Sequence, residues 1–213
     1  MAHIDLSFSV MGDSVSGDSS FSLFGALCDR FAWLHNDDSI AIHPLNGRLT
    51  RARRMVIEKQ SRLTFRISHE RMVDLLPLAG NVLRLGTDVL RIGTPEPRLL
   101  VPAARLFSPR VIISGFEDAE GFLEAARRQV KELGLNAEPS LVANPFALMN
   151  AGQLTGSRSP YLRRTISIHG ASVVGFAVRV ENLTAEESIV LQEQGLGGKR
   201  HFGCGIFSQE KRA

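Results

Sequence analysis

The chain has 213 residues, of which 44% are hydrophobic, so it can form one large domain or two small ones around a buried core. No stretch approaches the roughly 20 apolar residues of a membrane-spanning helix, and the N-terminus lacks the basic and apolar regions of a secretory signal. Cys28 and Cys204 lie far apart in apolar surroundings, which indicates neither a disulfide framework nor a zinc site. We therefore expect a reduced, cytoplasmic protein without membrane association.

The formal net charge of +3 understates the basic character of the chain, because the basic residues are mostly arginine and are clustered. Eight of them fall in a stretch that holds only two acidic residues: Arg48, Arg51, Arg53, Arg54, Lys59, Arg62, Arg66 and Arg71. Arginine binds phosphate through two parallel hydrogen bonds and stacks on bases. This stretch therefore suggests a polyanionic partner such as nucleic acid, although a solvated sheet face would carry the same charges.

Hydrophobic periodicity and turn residues predict these elements for the first half of the chain: a strand over 3–11, a helix from about 18 to 35, strands over 39–45 and 54–67, a short helix over 70–78, and a strand or hairpin over 82–92. The segment from Thr94 to Pro97 contains two prolines and is expected to end this pattern.

The second half repeats the order: a strand over 105–114, a helix over 118–133, a long loop over 138–160, strands over 163–169 and 172–181, a helix from about 184 to 194, and a last strand over 201–208. Thr184 to Glu187 has the pattern of a capping box at the start of its helix.

Each half therefore has the order β-α-β-β-α-β of the split β-α-β unit. We predict an α+β protein of two tandem ferredoxin-like (RRM-like) units, one over residues 1–100 and the other over residues 101–213. In such a unit the helices cover one face of an antiparallel sheet and leave the other face free. The fold alone does not determine the function.

The most informative stretch is the glycine-rich segment, residues 195–207, with the sequence GLGGKRHFGCGIF. Glycines let backbone N–H groups approach an anion closely, and three basic side chains in the middle add charge. It is not a Walker P-loop, because Arg200 follows Lys199 and a strand comes next. It is not a Rossmann fingerprint, because a helix precedes it. A glycine-rich turn without a ligand is the remaining alternative.

A helix followed by G-x-G-x-x-R-x-F-G-x-G-x-F, closing a second ferredoxin-like half, resembles the repeat-associated RNA-binding superfamily of CRISPR systems. Within it the chain resembles the Cas-six family of endoribonucleases that cut CRISPR repeat transcripts, in a short myxobacterial-type subgroup. The similarity covers nearly the whole chain and includes these further stretches: Leu34–His35, Ile42–Gly47, Leu76–Gly80, Val174–Ala177 and Glu186–Ser188.

The resemblance implies an endoribonuclease that needs neither metal nor other cofactor. It would cut CRISPR repeat RNA by attack of the 2′-OH, leave a 2′,3′-cyclic phosphate and a 5′-OH, keep the mature guide RNA (crRNA), and join other subunits of a type I-like effector complex. One alternative is a catalytically inactive RNA-binding subunit of such a complex. The other is a ferredoxin-like protein that binds a small anion or a protein.

The resemblance places the family's catalytic histidine at His35. A histidine that titrates near neutrality at a helix C-terminus suits proton transfer, although the spacing alone favours a histidine that simply ends the apolar helix face. His43 is the second catalytic candidate, either as the acid or to orient the scissile phosphate. The tyrosine and lysine that often accompany the family's histidine are absent from this region, so Arg48, Arg51 or Ser20 are possible substitutes.

Residues expected to contact RNA come from the arginine-rich stretch, from a cationic loop around Tyr161 and from the glycine-rich segment. They are Arg48, Arg51, Arg53, Arg54, Arg158, Arg163, Arg164, Gly195, Gly197, Gly198, Lys199, Arg200 and His201. For the Tyr161 loop, a surface loop without RNA contact is the alternative. No metal ligands are predicted, because the sequence has no HExxH motif and no carboxylate cluster suited to two-metal cleavage.

Overall fold

The computed structural model describes residues 2–145, 147, 159–168 and 170–210. The chain divides into two compact units. The first comprises Met1–Leu100 with Ser167–Gly170 and Arg200–Gly203, and the second comprises Val101–Ile166, Ala171–Lys199 and Cys204–Ala213. Among the residues described, no helix has the length and apolar character needed to cross a membrane.

The first unit contains two helices, α1 (Ser20–Cys28) and α2 (Met72–Leu75). Its strands are β1 (His3–Met11), β2 (Ser14–Ser16), β3 (Ala41–Ile42), β4 (Arg48–Leu49), β5 (Arg54–Val56), β6 (Arg62–Ser68), β7 (Val82–Leu85) and β8 (Asp88–Leu99). Five of them form an antiparallel sheet in the order β3-β6-β1-β8-β7, and three form a small sheet in the order β2-β5-β4. Alternate residues of β1, among them Leu6 and Phe8, are fully buried in one core with α1.

The second unit contains α3 (Ala119–Glu132) and α4 (Ala185–Gln194). Its strands are β9 (Arg105–Val111), β10 (Glu138–Leu141), β11 (Arg163–Ile168), β12 (Ala171–Glu181) and β13 (Ser208–Gln209). The sheet order is β10-β12-β9-β13, with β11 paired to β12. The predicted capping box is present, because the Thr184 hydroxyl accepts from the Glu187 N–H and the Glu187 carboxylate accepts from the Thr184 N–H.

The large sheet of the first unit and the sheet of the second unit therefore share one topology. In the first, β1 lies between β6 and β8, and β3 lies outside β6. In the second, β9 lies between β12 and β13, and β10 lies outside β12. This is the order of the split β-α-β unit, and the prediction of an α+β protein with ferredoxin-like halves is confirmed. The first half carries the β7–β8 hairpin where a single last strand is expected. The boundaries at residues 100 and 101 as limits of independent domains stay a prediction.

The first helix is shorter than predicted. It ends at Cys28, where the N–H groups of Arg30 and Phe31 both donate to the Leu27 carbonyl. Phe31 then leaves helical geometry and turns into the core, and a separate 3₁₀ turn follows over Ala32–Asn36. His35 thus lies on this short 3₁₀ turn and not at the end of the α-helix, where the sequence pattern placed it.

Four other predictions of elements were wrong. The predicted strand over 54–67 is two strands, β5 and β6, which lie in different sheets. The loop predicted over 138–160 begins with the strand β10, which pairs with β12. The prolines after Gly93 do not end a strand, because β8 continues to Leu99 and pairs Pro95 with Phe8 and Pro97 with Leu6 of β1. On its other side β8 pairs with β7 only over Asp88–Arg91. The prolines therefore lie where this edge of β8 has no partner strand, and their missing N–H groups remove no hydrogen bond between strands. The last strand is confined to β13, because the chain before it forms a 3₁₀ turn over Arg200–Phe202.

Candidate active site

The exposed ring of His35 is held by two side chains of α1. It stacks on Phe24, with 5.8 Å between the ring centres and 20° between the planes. The Sγ atom of Cys28 lies 3.5 Å from Nδ1 of His35. Burial, and then the negative charge of Asp29, raise the pKa of the Cys28 thiol, so the thiol is protonated at neutral pH. The two contacts orient the imidazole while its side chain remains accessible.

The turn that carries His35 is fastened by Arg71, which follows β6. The Arg71 guanidinium lies 4.5 Å from the ring centre of Trp33 and bonds to the carboxylate of Asp37, at opposite ends of the same turn. Although burial acts to raise the pKa of Asp37, hydrogen bonds from Ser39 and Arg71 lower it. Asp37 is therefore ionised at neutral pH, and its charge keeps Arg71 and the turn together.

The glycine-rich segment places His201 beside the same α1 ring. The His201 ring lies 4.7 Å from the centre of Phe24, at 9° to its plane, and His201 Nε2 lies 2.8 Å from the Asp37 carbonyl oxygen. Phe202 meets Phe24 edge-on at 5.2 Å and stacks on Phe21 at 6.2 Å. Phe24 thus has an imidazole from the 3₁₀ turn and an imidazole from the glycine-rich segment stacked on it.

His43, the second predicted catalytic residue, follows β3 and is only partly exposed. Its Nε2 atom is buried and lies 3.5 Å from Oδ1 of Asp5. Burial is the main reason that the pKa of His43 lies below its usual range, and the positive charge of Arg66 adds to this, although Asp5 acts in the opposite direction. His43 is therefore neutral at neutral pH, which suits a residue that orients others better than an acid.

Asp5 and Arg66 form the charged centre of this region. The Arg66 guanidinium binds the Asp5 carboxylate through two hydrogen bonds of 2.8 and 2.9 Å, and only 1% of Arg66 is exposed. Arg200 lies close by, and its burial together with the charge of Arg66 lowers its pKa to about 10. Arg200 is still cationic at neutral pH, and it places positive charge next to His201 in the chain.

Of the arginines predicted to contact RNA in the arginine-rich stretch, some are paired with acidic side chains and others are not. The Arg54 guanidinium binds both carboxylate oxygens of Asp88, at 2.6 and 3.0 Å, and the main-chain oxygen of Ser14. Arg48 pairs with Glu58 at 3.4 Å. The exposed side chains of Arg51 and Arg53, in the turn between β4 and β5, have no hydrogen bond or ion pair with any residue that the structure describes. Phosphate contacts from this stretch are therefore expected at Arg51 and Arg53.

The basic side chains near Tyr161 belong to the second unit. Arg163 lies over the Phe176 ring at 5.5 Å, and its Nη2 is 3.4 Å from the Glu117 carbonyl. Arg164 is exposed. Arg158 lies outside the described residues. The role of these arginines in RNA binding stays a prediction.

The first glycines of the glycine-rich segment use their N–H groups inside the second unit. Gly195 donates to the Leu191 carbonyl at 2.9 Å, Gly197 to Oε1 of Gln129 at 2.7 Å, and Gly198 to the Ile112 carbonyl at 2.9 Å. These three groups are not free to hold an anion. A basic side chain of the same stretch, Lys199, is exposed and remains available for that contact.

Gly197→Ala is expected to destabilise the protein by about 1–3 kcal/mol. Gly197 has a φ of +70°, and a Cβ atom there would stand 2.1 Å from the Ile112 carbonyl oxygen. Gly198→Ala is the matched control, because a Cβ at Gly198 meets no atom within 4 Å. Chemical denaturation of both variants checks this. Equal stability of the two variants would contradict close packing as the reason for Gly197.

The sequence contained no signal for two important residues. Asp5 was not predicted, because a single acid at a polar position of β1 becomes informative only when the register places it opposite Arg66. Arg71 was predicted only as one basic residue among several, and its contacts with Trp33 and Asp37 depend on the tertiary fold.

Comparison with known proteins identifies relatives over the full chain. The family model described as Cas6 CRISPR matches residues 4–212. A CRISPR-associated endonuclease Cas6 of Myxococcus xanthus (strain DK1622) is 32% identical over 213 residues, which cover 100% of this chain and 84% of that protein.

Solved structures share the fold at low sequence identity. A Cas6-related protein from Pyrococcus furiosus has a TM-score of 0.65 and 10% identity over 97% of this chain and 98% of that chain. A RAMP protein described as binding different RNA substrates has a TM-score of 0.66 and 8% identity over 99% of this chain and 100% of that one. A Cas6 product complex has a TM-score of 0.52 and 16% identity over 99% and 100% of the two chains.

Proposed function

This chain belongs to the Cas6 family of CRISPR endoribonucleases, and we propose that it cuts CRISPR repeat RNA at the His35 site without a metal ion. The observation that carries the proposal is the exposed imidazole of His35, held in place by Phe24 and Cys28. An oriented and accessible imidazole can exchange a proton with a bound substrate near neutral pH.

The proposed reaction uses the nucleophile that RNA itself contains. His35, as the general base, takes the proton of the 2′-OH next to the scissile phosphate. The 2′-oxygen then bonds to phosphorus, the bond from phosphorus to the 5′-oxygen breaks, and the leaving oxygen takes up a proton. The products are a 2′,3′-cyclic phosphate and a 5′-OH. Arg200, which is cationic, supplies charge that stabilises the phosphorane-like transition state.

Analysis of the RNA ends tests this chemistry. We expect the protein to cut the CRISPR repeat RNA of its own organism in excess EDTA and to leave a 5′-OH, which a polynucleotide kinase can label directly. The upstream product is expected to carry the cyclic phosphate at its 3′ end, which phosphatase cannot remove until acid opens the ring. A 5′-phosphate on the product, or cleavage that stops in EDTA, would contradict the proposal.

Binding of the RNA backbone is proposed to involve Arg51 and Arg53. Replacing both by alanine is expected to weaken RNA binding and to reduce the slope of log K against log salt by about 0.7 for each single-strand phosphate that is no longer neutralised. The control is Arg98→Ala, because Arg98 is also an exposed arginine of the first unit but is paired with Glu96. Titrations at several salt concentrations check this, and an unchanged slope would remove the β4–β5 turn from the RNA interface.

We further propose that the protein keeps the mature guide RNA and joins other subunits of a type I-like effector complex. The support is its family membership together with exposed basic side chains in both units, such as Arg51 and Lys199. Size-exclusion chromatography after complete cleavage checks the first part, with the guide RNA expected to elute with the protein.

A further inference from the structure

We propose that His201 is the second proton-transfer residue of the His35 site and acts as the acid that protonates the leaving 5′-oxygen. The inference rests on the proposed function and adds a role to it. The glycine-rich segment is predicted to contact the RNA backbone, and the structure places the imidazole of His201 on the ring that also holds His35.

The geometry makes Phe24 a common support for two imidazoles. Its ring centre is 5.8 Å from that of His35 and 4.7 Å from that of His201, and both imidazoles are close to parallel with it. Cleavage by 2′-OH attack needs a base on one side of the phosphorus and an acid on the other. Among the described rings that stack on or meet Phe24, those of His35 and His201 are the two that can carry a proton.

A main-chain carbonyl determines which nitrogen of His201 can react. Nε2 lies 2.8 Å from the Asp37 carbonyl oxygen, and because a carbonyl oxygen only accepts, this nitrogen keeps its hydrogen. Nδ1 is therefore the nitrogen that gains and loses a proton. His201 is thus oriented in the way that orients histidines in other acid–base sites.

The segment that carries His201 is fixed in position. Gly203 has a φ of +76°, and a Cβ atom there would lie 2.6 Å from Cγ of Pro44, so the chain passes close to the residue that follows His43. Phe202 packs between Phe21 and Phe24. These contacts hold His201 in place without any help from RNA.

His43 is the competing candidate for the acid, and its surroundings argue against it. Its Nε2 is buried beside Asp5 and close to the positive charge of Arg66, and its pKa lies below the usual range, so at neutral pH it lacks the additional proton that a cationic imidazolium would donate. Helix α1 and the turn that follows it contain no tyrosine and no lysine that could take this role. His201 therefore occupies a role for which this region offers no better side chain.

The protons balance over one turnover. His35 accepts the proton of the 2′-OH through its imidazole as the bond from the 2′-oxygen to phosphorus forms. The Nδ1–H of cationic His201 passes to the 5′-oxygen as its bond to phosphorus breaks. The site ends with His35 cationic and His201 neutral, and exchange with water restores the starting state. No oxidant, metal or other reactant is involved.

A substrate with a sulfur atom in place of the bridging 5′-oxygen separates the acid from the base. A thiolate leaves without a proton, so this substrate needs the base but not the acid. We expect His201→Ala to cut the oxygen substrate about 10²- to 10⁴-fold more slowly than the wild type and to cut the sulfur substrate at nearly the wild-type rate. His35→Ala is expected to be slow on both substrates.

Two variants control for structural effects. His201→Phe keeps an aromatic ring to stack on Phe24 but carries no proton, and it is expected to behave as His201→Ala does. His69→Ala removes another histidine that contacts a main-chain carbonyl, that of Ala2, and is expected to cut like the wild type. RNA affinity and thermal unfolding are measured for each variant, so that weaker binding or impaired folding is recognised.

The inference is overturned if His201→Ala or His201→Phe cuts the oxygen substrate at the wild-type rate, or if His201→Ala is slowed equally on both substrates. In the last case His201 only supports the structure around Phe24. The two proposals fail in different ways. A wild-type protein that cuts neither substrate contradicts the proposed function, whereas a wild-type protein that cuts both while the His201 variants keep its rates contradicts only the role of His201.

Discussion

His35→Ala is expected to lower the single-turnover rate of repeat-RNA cleavage by about 10²- to 10⁴-fold, the contribution of a positioned acid or base to a proton-transfer step. RNA affinity is expected to stay near the wild-type value, because the His35 side chain is exposed and the basic side chains lie elsewhere. The measurement is a single-turnover time course with labelled repeat RNA and saturating protein, beside an equilibrium titration with the same RNA.

The Cys28 contact provides a second test of the same site. Cys28→Ser replaces the thiol by a hydroxyl, which can still form a hydrogen bond with Nδ1 of His35. This variant is expected to retain more activity than Cys28→Ala. For His35→Ala, the variant His69→Ala serves again as the control for removal of a histidine.

If His35→Ala cuts repeat RNA as fast as the wild type, His35 is not the base, and the assignment of the site to this turn is wrong.

Asp5→Ala is expected to destabilise the protein by about 3–5 kcal/mol, the usual consequence of removing one partner of a buried ion pair. Arg66 is 1% exposed, and its two hydrogen bonds to Asp5 hold β6 against β1. Without Asp5 the guanidinium is left buried close to the positive charge of Arg200. Denaturant unfolding checks this, and Glu96→Ala, which breaks the exposed pair with Arg98, is expected to change stability by less than about 1 kcal/mol.

The same pair gives stability a dependence on pH. Burial would raise the pKa of Asp5, but the neighbouring His43 and the hydrogen bonds from Arg66 outweigh it and hold this pKa well below the usual range. A carboxyl group with a lowered pKa in the folded state stabilises the fold above its unfolded pKa of about 3.9, and the contribution is lost as the pH falls below that value. The wild type should therefore lose stability below about pH 4 more steeply than Asp5→Ala. Parallel pH curves for the two proteins would contradict the role given to this pair.

Sequence patterns correctly predicted those elements whose structure depends on residues close together in the sequence. The alternation in β1 and the capping box of Thr184 and Glu187 are of this kind, and both are present. The end of α1 was placed too late, because the apolar spacing continues past Cys28 while Phe31 turns into the core. The effect of Pro95 was misjudged, because the strand edge that tolerates it is created by β7 being short.

The candidate site was predictable only in part. The resemblance to the family identified His35, but periodicity gave no indication of the contact between Phe24 and His201, which are far apart in the chain. Arg54 was expected to face RNA because it stands in a basic stretch. Its pairing with Asp88 depends on the fold that brings β5 to the start of β8. Charge along a sequence indicates a surface, whereas the partners of each charge are determined by the tertiary structure.

The decisive experiment maps the cut in the CRISPR repeat RNA of the protein's own organism, at single-nucleotide resolution and in excess EDTA. We predict one cut within the repeat by the wild type, and no detectable cut by His35→Ala in the time that the wild type needs to finish. Tight binding of the repeat by the wild type without any cut would contradict the assignment of an active site, and would identify the chain as an RNA-binding subunit that has lost the catalytic activity of its family.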